Sequence, residues 1–592
     1  MTMRKVNRAD RQPFDPSSAL RAFVPRLRDQ GLRPGREDEG VALILVLLSM
    51  LVMSALAATI VYTARAETFA SNNYKLETEA DYLAKAGIQR ATNWFRSNHY
   101  EAVQQAQAST NYAVTSTGSP YNLYTSNNSP VNCASGCSSS NSAVKFIGYG
   151  SGSTNFPSIS NTASPSTAVT SAFTSDLVNV PVTDANGNNL GSFSIRATLL
   201  YYQTVGLGTD PPYTIVPVES WLVTSLGTYT GGQGLTLATA EESAIVQPIF
   251  IPTWGNALYG FCGVNMTGSA GTCTDAFNSA FGAYGGGSNA TAAGACDSTT
   301  AANVIAAGAN VGANGGVTLG SNVTVAGNVI IGSSATSGCS ASGYSGSTSS
   351  VLGQVINGPH KSAPPPPTFR AGFPGAAPSY PLGVNDVQTL PVNGTWSNSP
   401  FPQTGGLPSP PTNSTTCMDT TCNGTSAHPY EIGSISMTGG GNGPNSPVLD
   451  LVGSNNPAAP IYYDIDSLSQ NQGRINVSGY VVLNIQSGLS VGGLGISNGV
   501  SSDIPPGYLE MNYAGTSAVS INGNGAVSAV INAPNASVDL GGGGSGGYFV
   551  GAIQANNVNV VGGYPVHYDL QLTRMGGSMG AISTTAYSRQ KM

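Results

Sequence analysis

The apolar residues of this chain form one unbroken run near the N-terminus and short, strand-like groups further along. Residues 41–62 contain no charged side chain. At about 1.5 Å per residue, a helix of this length spans roughly 33 Å, which is enough to cross a bilayer. The pattern therefore predicts a transmembrane segment over residues 41–62. A cleaved secretory signal is the alternative, with residues 55–58 (A-L-A-A) as a loose cleavage site.

The segment that follows, residues 63–98, has the pattern of an amphipathic helix. Its only glycine is Gly87 and it has no proline, so nothing interrupts a helix that continues from the apolar run. Apolar side chains including Phe69, Leu76, Leu83 and Ile88 recur among charged ones, which predicts an apolar stripe. Such a stripe has to pack against neighbouring molecules or against the rest of the chain.

Beyond residue 170 the apolar positions alternate, which predicts strands. A turn-forming D-A-N-G-N-N segment beginning at Asp184 separates two such runs and predicts a β-hairpin; as a calcium loop it would lack the acidic residue at the twelfth position. In residues 303–332 apolar residues recur six apart in two sets, which predicts a parallel β-solenoid rather than an ordinary meander. The two sets are Ile305, Val311, Val317, Val323 and Val329, and Ala307, Ala313, Leu319, Val325 and Ile331.

These patterns predict an α+β fold class, with a long N-terminal transmembrane and amphipathic helix and a mostly β body that ends in a parallel β-solenoid. Proline- and glycine-rich stretches mark the boundaries between segments. The predicted organisation is a leader (1–40), the transmembrane segment (41–62), its amphipathic continuation (63–98), a loop-rich small β-domain (99–260), the start of the solenoid (261–360), a Pro/Gly-rich insertion (361–430), the C-terminal solenoid (431–572) and a flexible tail (573–592).

Charge is scarce and unevenly placed. Charged residues make up 9% of the chain, against roughly 25% in typical globular domains. Residues 1–40 carry nine Lys and Arg against six acids, so the positive-inside rule places this leader in the cytoplasm and the bulk of the chain outside it. The body after residue 100 is acidic and has no basic stripe, so nucleic acid is excluded as a partner.

All eight cysteines follow the apolar run, as expected for structural disulfides in an oxidising compartment. Cys133 with Cys137, and Cys417 with Cys422, are predicted to close local loops. The other four cysteines, Cys262, Cys273, Cys296 and Cys339, leave three pairings open. Zinc ligation and free thiols are the alternatives, but no well-spaced histidine pair accompanies the cysteines. We therefore expect no metal and no cofactor.

Catalytic patterns are weak. Asp464 and Asp466 are the only close acidic pair in the predicted solenoid, and the G-x-S-x-G match at residues 543–547 lies inside a glycine run. His567 and Asp569 are predicted to cap the last coil as polar groups at an open sheet edge. No P-loop, dinucleotide fingerprint or H-E-x-x-H motif occurs. The sequence thus predicts no enzyme and no catalytic residue.

The N-terminal region resembles the type IV pilin class, and PilX-type minor pilins in particular. The resemblance rests on Gly40 followed by V-A-L-I-L, the apolar run, and A-D-Y-L-A-K-A-G-I-Q-R-A at residues 80–91. It covers residues 36–98, about a tenth of the chain. It implies cleavage by a prepilin peptidase between Gly40 and Val41, and packing of the released helix into a bundle with other pilins. The residues on which that packing would rest are Leu45, Leu76, Leu83 and Ile88.

Two departures from the class bear on the role. Leu45 stands at the fifth mature position, where major pilins carry a glutamate, and this argues against a bulk filament subunit. The 40-residue leader is also long for the class. The resemblance implies a minor pilin-like component at a pilus base or tip, anchored by a single pass in the inner membrane, with a periplasmic or extracellular body that contacts other pilus-assembly proteins and surface glycans. The alternative is a membrane-anchored glycan-binding or glycan-active solenoid protein outside any pilus.

Overall fold

The chain is described by a computed structural model that divides it into two compact units, Met1–Leu76 and Glu77–Met592. The residues described are 39–97, 100, 144–154, 156, 167–208, 214–231, 234–268, 271–279, 284, 296, 308–332, 339, 343–375, 377, 379–390, 397–398, 422–441, 443–454, 459–498, 509–541 and 546–590.

The N-terminal element is one continuous helix, α1 (Glu39–Trp94), of 56 residues. At 1.5 Å per residue it is about 84 Å long. It contains the predicted transmembrane segment and its amphipathic continuation without a break, and it ends four residues before the predicted limit. A long N-terminal helix followed by a mostly β body is therefore confirmed, whereas the leader, residues 1–38, lies outside the described residues.

The C-terminal part of this helix packs on a small antiparallel sheet. The antiparallel neighbours in the sheet run β1-β3-β4-β5, and β2 pairs with the outer part of β3. A short helix, α2 (Thr167–Leu177), precedes the predicted hairpin, where the sequence indicated strand. The strands are β1 (Lys145–Ile147), β2 (Val180–Thr183), β3 (Asn189–Leu207), β4 (Thr214–Tyr229) and β5 (Ala238–Pro252).

The hairpin predicted around Asp184 is confirmed as the pair of β2 and β3. The Asp184 carboxylate accepts hydrogen bonds from the backbone amides of Asn186 and Asn188, both at 2.9 Å. An aspartate that bonds its own turn in this way stabilises the chain reversal without an ion. Gly187, with a φ of +84°, supplies the left-handed residue that the turn requires.

Small residues let the helix lie directly on the sheet. A Cβ on Gly87 would come within 2.1 Å of Ser225 Oγ, and one on Gly227 within 2.2 Å of the Ala80 carbonyl oxygen and 2.5 Å of the Ala84 nitrogen. Ala80, Ala84, Gly87 and the buried Ala91 recur three or four apart, so they share one helix face. The core beyond this contact is aromatic and includes Trp94, Phe146, Phe173 and Trp221.

The larger part of the body is a stack of short parallel strands, entered by the chain at β6. β6 pairs with β8, β8 with β11 and β11 with β13, in each case in parallel. The strands of this first half are β6 (Leu258–Met266), β7 (Cys273–Phe277), β8 (Val311–Ala313), β9 (Gly316–Leu319), β10 (Thr324–Val325), β11 (Val329–Gly332), β12 (Gly343–Ser345) and β13 (Val355–Gly358).

The six-residue apolar spacing sets the geometry of this first half. Val311, Val317, Val323 and Val329 are all buried in one core. Val311 pairs with Val329, so the chain returns to the same position after three hexads. Each hexad contributes two residues to this core, as Val311 and Ala313 do in the first described one. Ile305 and Ala307, the first members of the two predicted sets, lie outside the described residues.

The second half of the stack begins at the end opposite β13, and its later strands pair progressively closer to the first half. β14 pairs with β17 and β15 with β18, and the pairing continues in parallel through β19, β21, β23 and β25 to β26. The one antiparallel pair described in the stack joins β15 and β16. The strands are β14 (Tyr380–Leu382), β15 (Val387–Leu390), β16 (Ser397–Asn398), β17 (Tyr430–Met437), β18 (Val448–Val452), β19 (Ile461–Gln470), β20 (Arg474–Ser478), β21 (Val481–Val491), β22 (Ile496–Asn498), β23 (Leu509–Tyr513), β24 (Val519–Ile521), β25 (Ala526–Leu540), β26 (Tyr548–Val560) and β27 (Pro565–Asp569).

The two halves meet at a seam where the last strands of the stack pair with its first strands. β26 pairs with β6, and β27 with β7. The chain leaves the stack through a 3-10 helix, Leu570–Arg574, into β28 (Gly577–Gln590). β28 pairs antiparallel with β5 along most of its length, so it completes the small sheet. The flexible tail expected over residues 573–592 is therefore wrong for Gly577–Gln590, because the exposed edge of β5 supplies a hydrogen-bonding partner.

The predicted Pro/Gly-rich insertion, residues 361–430, is also partly incorporated in the stack. β14 and β15 lie within it and pair in register with the following strands. Residues 359–370, which include four consecutive prolines, contain no helix or strand. They connect β13 to β14, at the other end of the stack, and we call them the strap.

Candidate functional site

The first part of α1 is apolar and fully exposed. Every residue from Gly40 to Lys75 is exposed, and an 18-residue window within the helix reaches a mean hydropathy of 2.7. This is the one helix in the described part of the chain that is long and apolar enough to cross a membrane. Exposure of so much apolar surface to water is unfavourable, at about 25 cal/mol per Å². This half of the helix therefore requires lipid or other apolar surfaces around it.

The polar side chains within the apolar run are satisfied by the helix itself. The three serine and threonine hydroxyls donate to backbone carbonyl oxygens one turn earlier, at 2.8–2.9 Å. In a hydrocarbon environment an unpaired hydroxyl is costly, so this bonding makes the segment compatible with lipid. The donor and acceptor pairs are Ser49 with Val46, Ser54 with Leu51, and Thr59 with Leu56.

The structure divides the residues predicted for helix packing into two groups. Leu45 is 62% exposed and lies in the apolar run. Leu83 and Ile88 are 4% and 3% exposed, because they pack against the chain's own sheet. Leu76 is half-buried, at the transition. The part of the helix before Leu76 is thus exposed on all sides, whereas the later part buries the face that carries Leu83 and Ile88.

The predicted processing site lies at the start of this exposed helix. No atom beyond its neighbours lies within 4 Å of the position that a Cβ on Gly40 would occupy, and Val41 is 59% exposed. A peptidase therefore meets no steric obstruction from the described residues at the Gly40–Val41 bond.

Two disulfides connect the strands of the first half of the stack to its loops. They join Cys262 to Cys339 and Cys273 to Cys296, one of the three pairings that the sequence left open. Cys422 is also disulfide-bonded. Cys133, Cys137 and Cys417 lie outside the described residues, so the two predicted local closures are not described.

His567 and Asp569 lie inside the seam and not at an open edge, so their predicted capping role is wrong. Both are fully buried, because β27 pairs with β7 and sets His567 opposite Asp275. His567 Nδ1 lies 2.5 Å from Asp275 Oδ1. The Tyr284 ring stacks on the imidazole with its centroid 3.7 Å away, and its hydroxyl donates to Asp275 Oδ2 at 3.0 Å.

Asp569 has its own partners in the seam. Its Oδ1 accepts hydrogen bonds from the backbone amides of Ser279, at 3.0 Å, and Gln571, at 3.1 Å. Burial raises the pKa of Asp569 to about 6, against the opposing effect of these hydrogen bonds.

The seam also brings together Asp275, Cys296 and His567, whose ligand atoms lie within 4.8 Å of one another. Cys296 Sγ is held in the bond to Cys273, so it does not offer a thiolate. The group then retains one carboxylate and one imidazole that already bond each other. These residues do not make a metal site in the disulfide-bonded protein.

A row of polar side chains lies on the outside of the stack. Each member is next in sequence to a residue whose side chain points into the core. The parallel strand pairings place its members side by side on seven consecutive strands, and hydrogen bonds join several of them. Asn484 donates to Asp464 at 2.9 Å and Asn512 to Asn484 at 3.5 Å, and Asn512 also donates to the neighbouring Glu510 at 3.2 Å. We call this set the outward row: Glu431, Asp464, Asn484, Asn512, Asn532, Gln554 and Tyr259. Because register depends on the fold, sequence reasoning missed the row and identified only Asp464.

No family model matches this chain, and no curated protein matches it. A solved structure that resembles it is the competence-associated pilin ComZ from Thermus thermophilus, with 12% identity over 70% of this chain and 86% of that chain. The TM-score is 0.23. At this score the likeness does not establish a shared fold.

Asp464 makes stability depend on pH. Burial raises its pKa to about 6, with a further increase from Glu431 and a decrease from Asn484. The folded protein thus holds a proton that the unfolded chain releases near pH 4, and stability should fall as pH rises from about 4 to about 6. In Asp464→Asn we expect this dependence to flatten and the free energy of unfolding at neutral pH to rise by ~1–3 kcal/mol. Denaturant unfolding at several pH values measures both effects.

Asp539 provides the matched control. It is half-buried on β25 and accepts a hydrogen bond from Asn559 at 2.7 Å, which resembles the bond between Asp464 and Asn484. Asp539→Asn should change the free energy of unfolding at neutral pH by less than about 1 kcal/mol. Asp569, whose pKa burial also raises to about 6, keeps its own share of the pH dependence, so an Asp464→Asn protein that loses as much stability between pH 4 and 6 as the wild type would refute the assignment.

Proposed function

We propose that this protein is a pilin-like, membrane-anchored subunit of the PilX-type minor pilin kind, which joins a type IV pilus or related envelope assembly through α1. One observation carries the proposal: a single helix is exposed from Gly40 to Lys75, with an uncharged apolar run over residues 41–62, and from Ala80 onward it buries one face on its own sheet. The exposed half suits lipid before assembly and the helices of neighbouring subunits afterwards, since both surround it with apolar groups.

The sequence of the apolar run and the size of the body support a position at the base or tip of such an assembly. Leu45 leaves the apolar run without an acidic residue, so no intramembrane charge pairs this helix with a neighbour. The body is also large, with 22 strands in the stack alone. A base or tip position accommodates such a body, whereas repetition along a filament would crowd it.

The finer features of the proposal concern location and architecture. We place the protein in the inner membrane by a single pass, with the body periplasmic or extracellular, and the two disulfides support an oxidising compartment. We interpret the stack as a parallel β-solenoid, supported by its parallel pairings and by the return of the chain after 18 residues, from Val311 to Val329. Its role in this proposal is structural and adhesive rather than catalytic.

N-terminal sequencing of the protein purified from its native host tests the proposal. We expect the mature chain to begin at Val41 and to remain uncut in a strain that lacks the prepilin peptidase. A photo-crosslinker at Leu45 should capture another pilin, because that side chain is 62% exposed in the apolar run.

Leu235, which is 71% exposed on the small β-domain, is the control position for the crosslinker. It should capture no pilin helix. An uncut chain that crosslinks only to lipid at position 45 would exclude the pilin role, and leave the plain membrane anchor as the better description.

A further inference from the structure

The outward row is buried although it faces away from the core of the stack. Tyr463 and Ile465 point inward, and Asp464 between them points outward, yet it is only 3% exposed. The side chains of Glu431, Asn512, Asn532 and Gln554 are similarly 3–5% exposed. Polar groups on the outer face of a sheet normally contact water, so another part of the protein covers them.

The strap is held at both ends of this row. At one end Arg370 Nε lies 3.0 Å from Glu431 Oε1. At the other end Lys361 Nζ lies 4.7 Å from the centre of the Tyr259 ring. The Lys361 backbone also forms two hydrogen bonds with the Asn314 side chain, at 2.7 and 2.9 Å.

The length of the strap matches the length of the row. Glu431 and Tyr259 are six strand spacings apart, which is about 29 Å at about 4.8 Å per spacing. The nine residue steps from Lys361 to Arg370 cover about 28 Å as a polyproline II helix at 3.1 Å per residue. Lys361, Pro364 and Pro367 are half-buried while the residues between them are exposed, as expected for a helix with three residues per turn docked along one edge. The strap therefore runs lengthwise along the outward row.

Hydrogen-bond acceptors in the middle of the row have no donor among the described residues. The side-chain carbonyl oxygens of Asn512 and Asn532 are buried and accept no hydrogen bond from the described residues. Prolines have no backbone N–H to offer them. The strap is thus held by its two cationic ends, and its central prolines exclude water from acceptors that they do not pair.

We propose that the outward row is a binding groove for a straight, neutral oligosaccharide, and that the strap is its displaceable internal cover. A sugar chain presents hydroxyl donors at regular intervals, which the unpaired amide oxygens lack, and the row adds further amides, carboxylates and a tyrosine. Glu431, Asp464 and Glu510 disfavour an anionic polymer, and the unpaired amide oxygens are met by the hydroxyls of a neutral one. This proposal goes beyond anchoring by α1 and applies equally to an assembled or an unassembled protein.

Displacement of the strap sets the apparent affinity. The measured dissociation constant is the intrinsic value divided by the fraction of molecules with an open groove. Removal of the two cationic contacts should increase that fraction. In Lys361→Ala/Arg370→Ala we expect cellohexaose to bind about tenfold more tightly than in the wild type. Calorimetric titration of the full chain in lipid nanodiscs measures this change.

Two controls separate the groove from non-specific effects. Ser362 is exposed on the strap, so Ser362→Ala should bind cellohexaose as the wild type does. In the opened protein, Asn512→Ala/Asn532→Ala should weaken binding at least about tenfold, because the unpaired acceptors are removed. The thermal midpoint of each variant verifies that it is folded.

Hydrogen exchange in the wild-type protein tests the same displacement without any substitution. Saturating cellohexaose should accelerate exchange of the Lys361 amide, which donates to Asn314 Oδ1 at 2.9 Å while the strap is in place. Absence of cellohexaose binding, equal affinity in opened and wild-type protein, or unchanged strap exchange would each overturn the proposal. So would binding of a proline-rich peptide, in place of the saccharide, to the opened groove. Failure of α1 processing would leave all these outcomes unaffected, so the two proposals are tested separately.

Discussion

Replacement of Gly227 by valine is expected to detach the helix from the small sheet and to lower the free energy of unfolding by about 3 kcal/mol or more. A Cβ at this position would lie 2.2 Å from the Ala80 carbonyl oxygen and 2.5 Å from the Ala84 nitrogen. Both are backbone atoms of α1, so no side-chain rotation relieves the clash. Lys85 should then become accessible to trypsin, and fluorescence of Trp94 and Trp221 should report an earlier unfolding transition.

Two comparisons isolate the cause. Gly227→Ala adds only the Cβ and should retain most of the loss, because the Cβ itself makes the clash. At Gly443 no atom lies within 4 Å of the position that a Cβ would occupy, so Gly443→Val should leave stability nearly unchanged. An unaltered unfolding midpoint in Gly227→Val would show that the helix does not rest on the sheet at this point.

Replacement of His567 by leucine is expected to destabilise the seam by ~3–5 kcal/mol. Asp275 is 1% exposed, and the change removes the imidazole that lies 2.5 Å from its carboxylate. The Tyr284 hydroxyl still donates to Asp275, but leucine offers no hydrogen bond in place of the one that the imidazole made. Hydrogen exchange should locate the loss in β6, β7 and β27, and denaturant unfolding should give its size.

The pair formed by Asp539 and Asn559 is the control for this substitution. Both side chains are half-buried, and their bond is 2.7 Å long. Asn559→Leu should therefore cost no more than about 1 kcal/mol. The double variant Asp275→Leu/His567→Leu should recover part of the stability, since it removes the buried carboxyl together with the imidazole that contacts it. If His567→Leu were as mild as Asn559→Leu, the seam would not depend on the buried pair.

Local patterns in the sequence predicted several elements well. The uncharged run at residues 41–62 and the lack of helix breakers up to residue 98 predicted one continuous helix, and the structure has it from Glu39 to Trp94. The turn at Asp184 predicted the hairpin of β2 and β3. These predictions succeeded because the apolar periodicity and the turn residues act over a few neighbours in the chain.

Predictions that depended on distant partners were less accurate. Residues 573–592 have no strong apolar alternation, and their strand forms because β5 offers an edge more than 300 residues earlier in the chain. His567 and Asp569 follow the last strand pattern of the predicted solenoid, which suggested an open end. The structure instead pairs them with β7, from the beginning of the stack.

The sequence by itself determined the helix, its apolar run, the β character of the body and the six-residue spacing of the strands in the first half of the stack. The tertiary structure alone decided the order of the stack, the seam, the cysteine pairings described and the alignment of the strap with the outward row. The physical reason is sequence separation: His567 meets Asp275 across 292 positions, and Arg370 meets Glu431 across 61. Local preferences carry no information about which distant strands share a register, and that register places these side chains together.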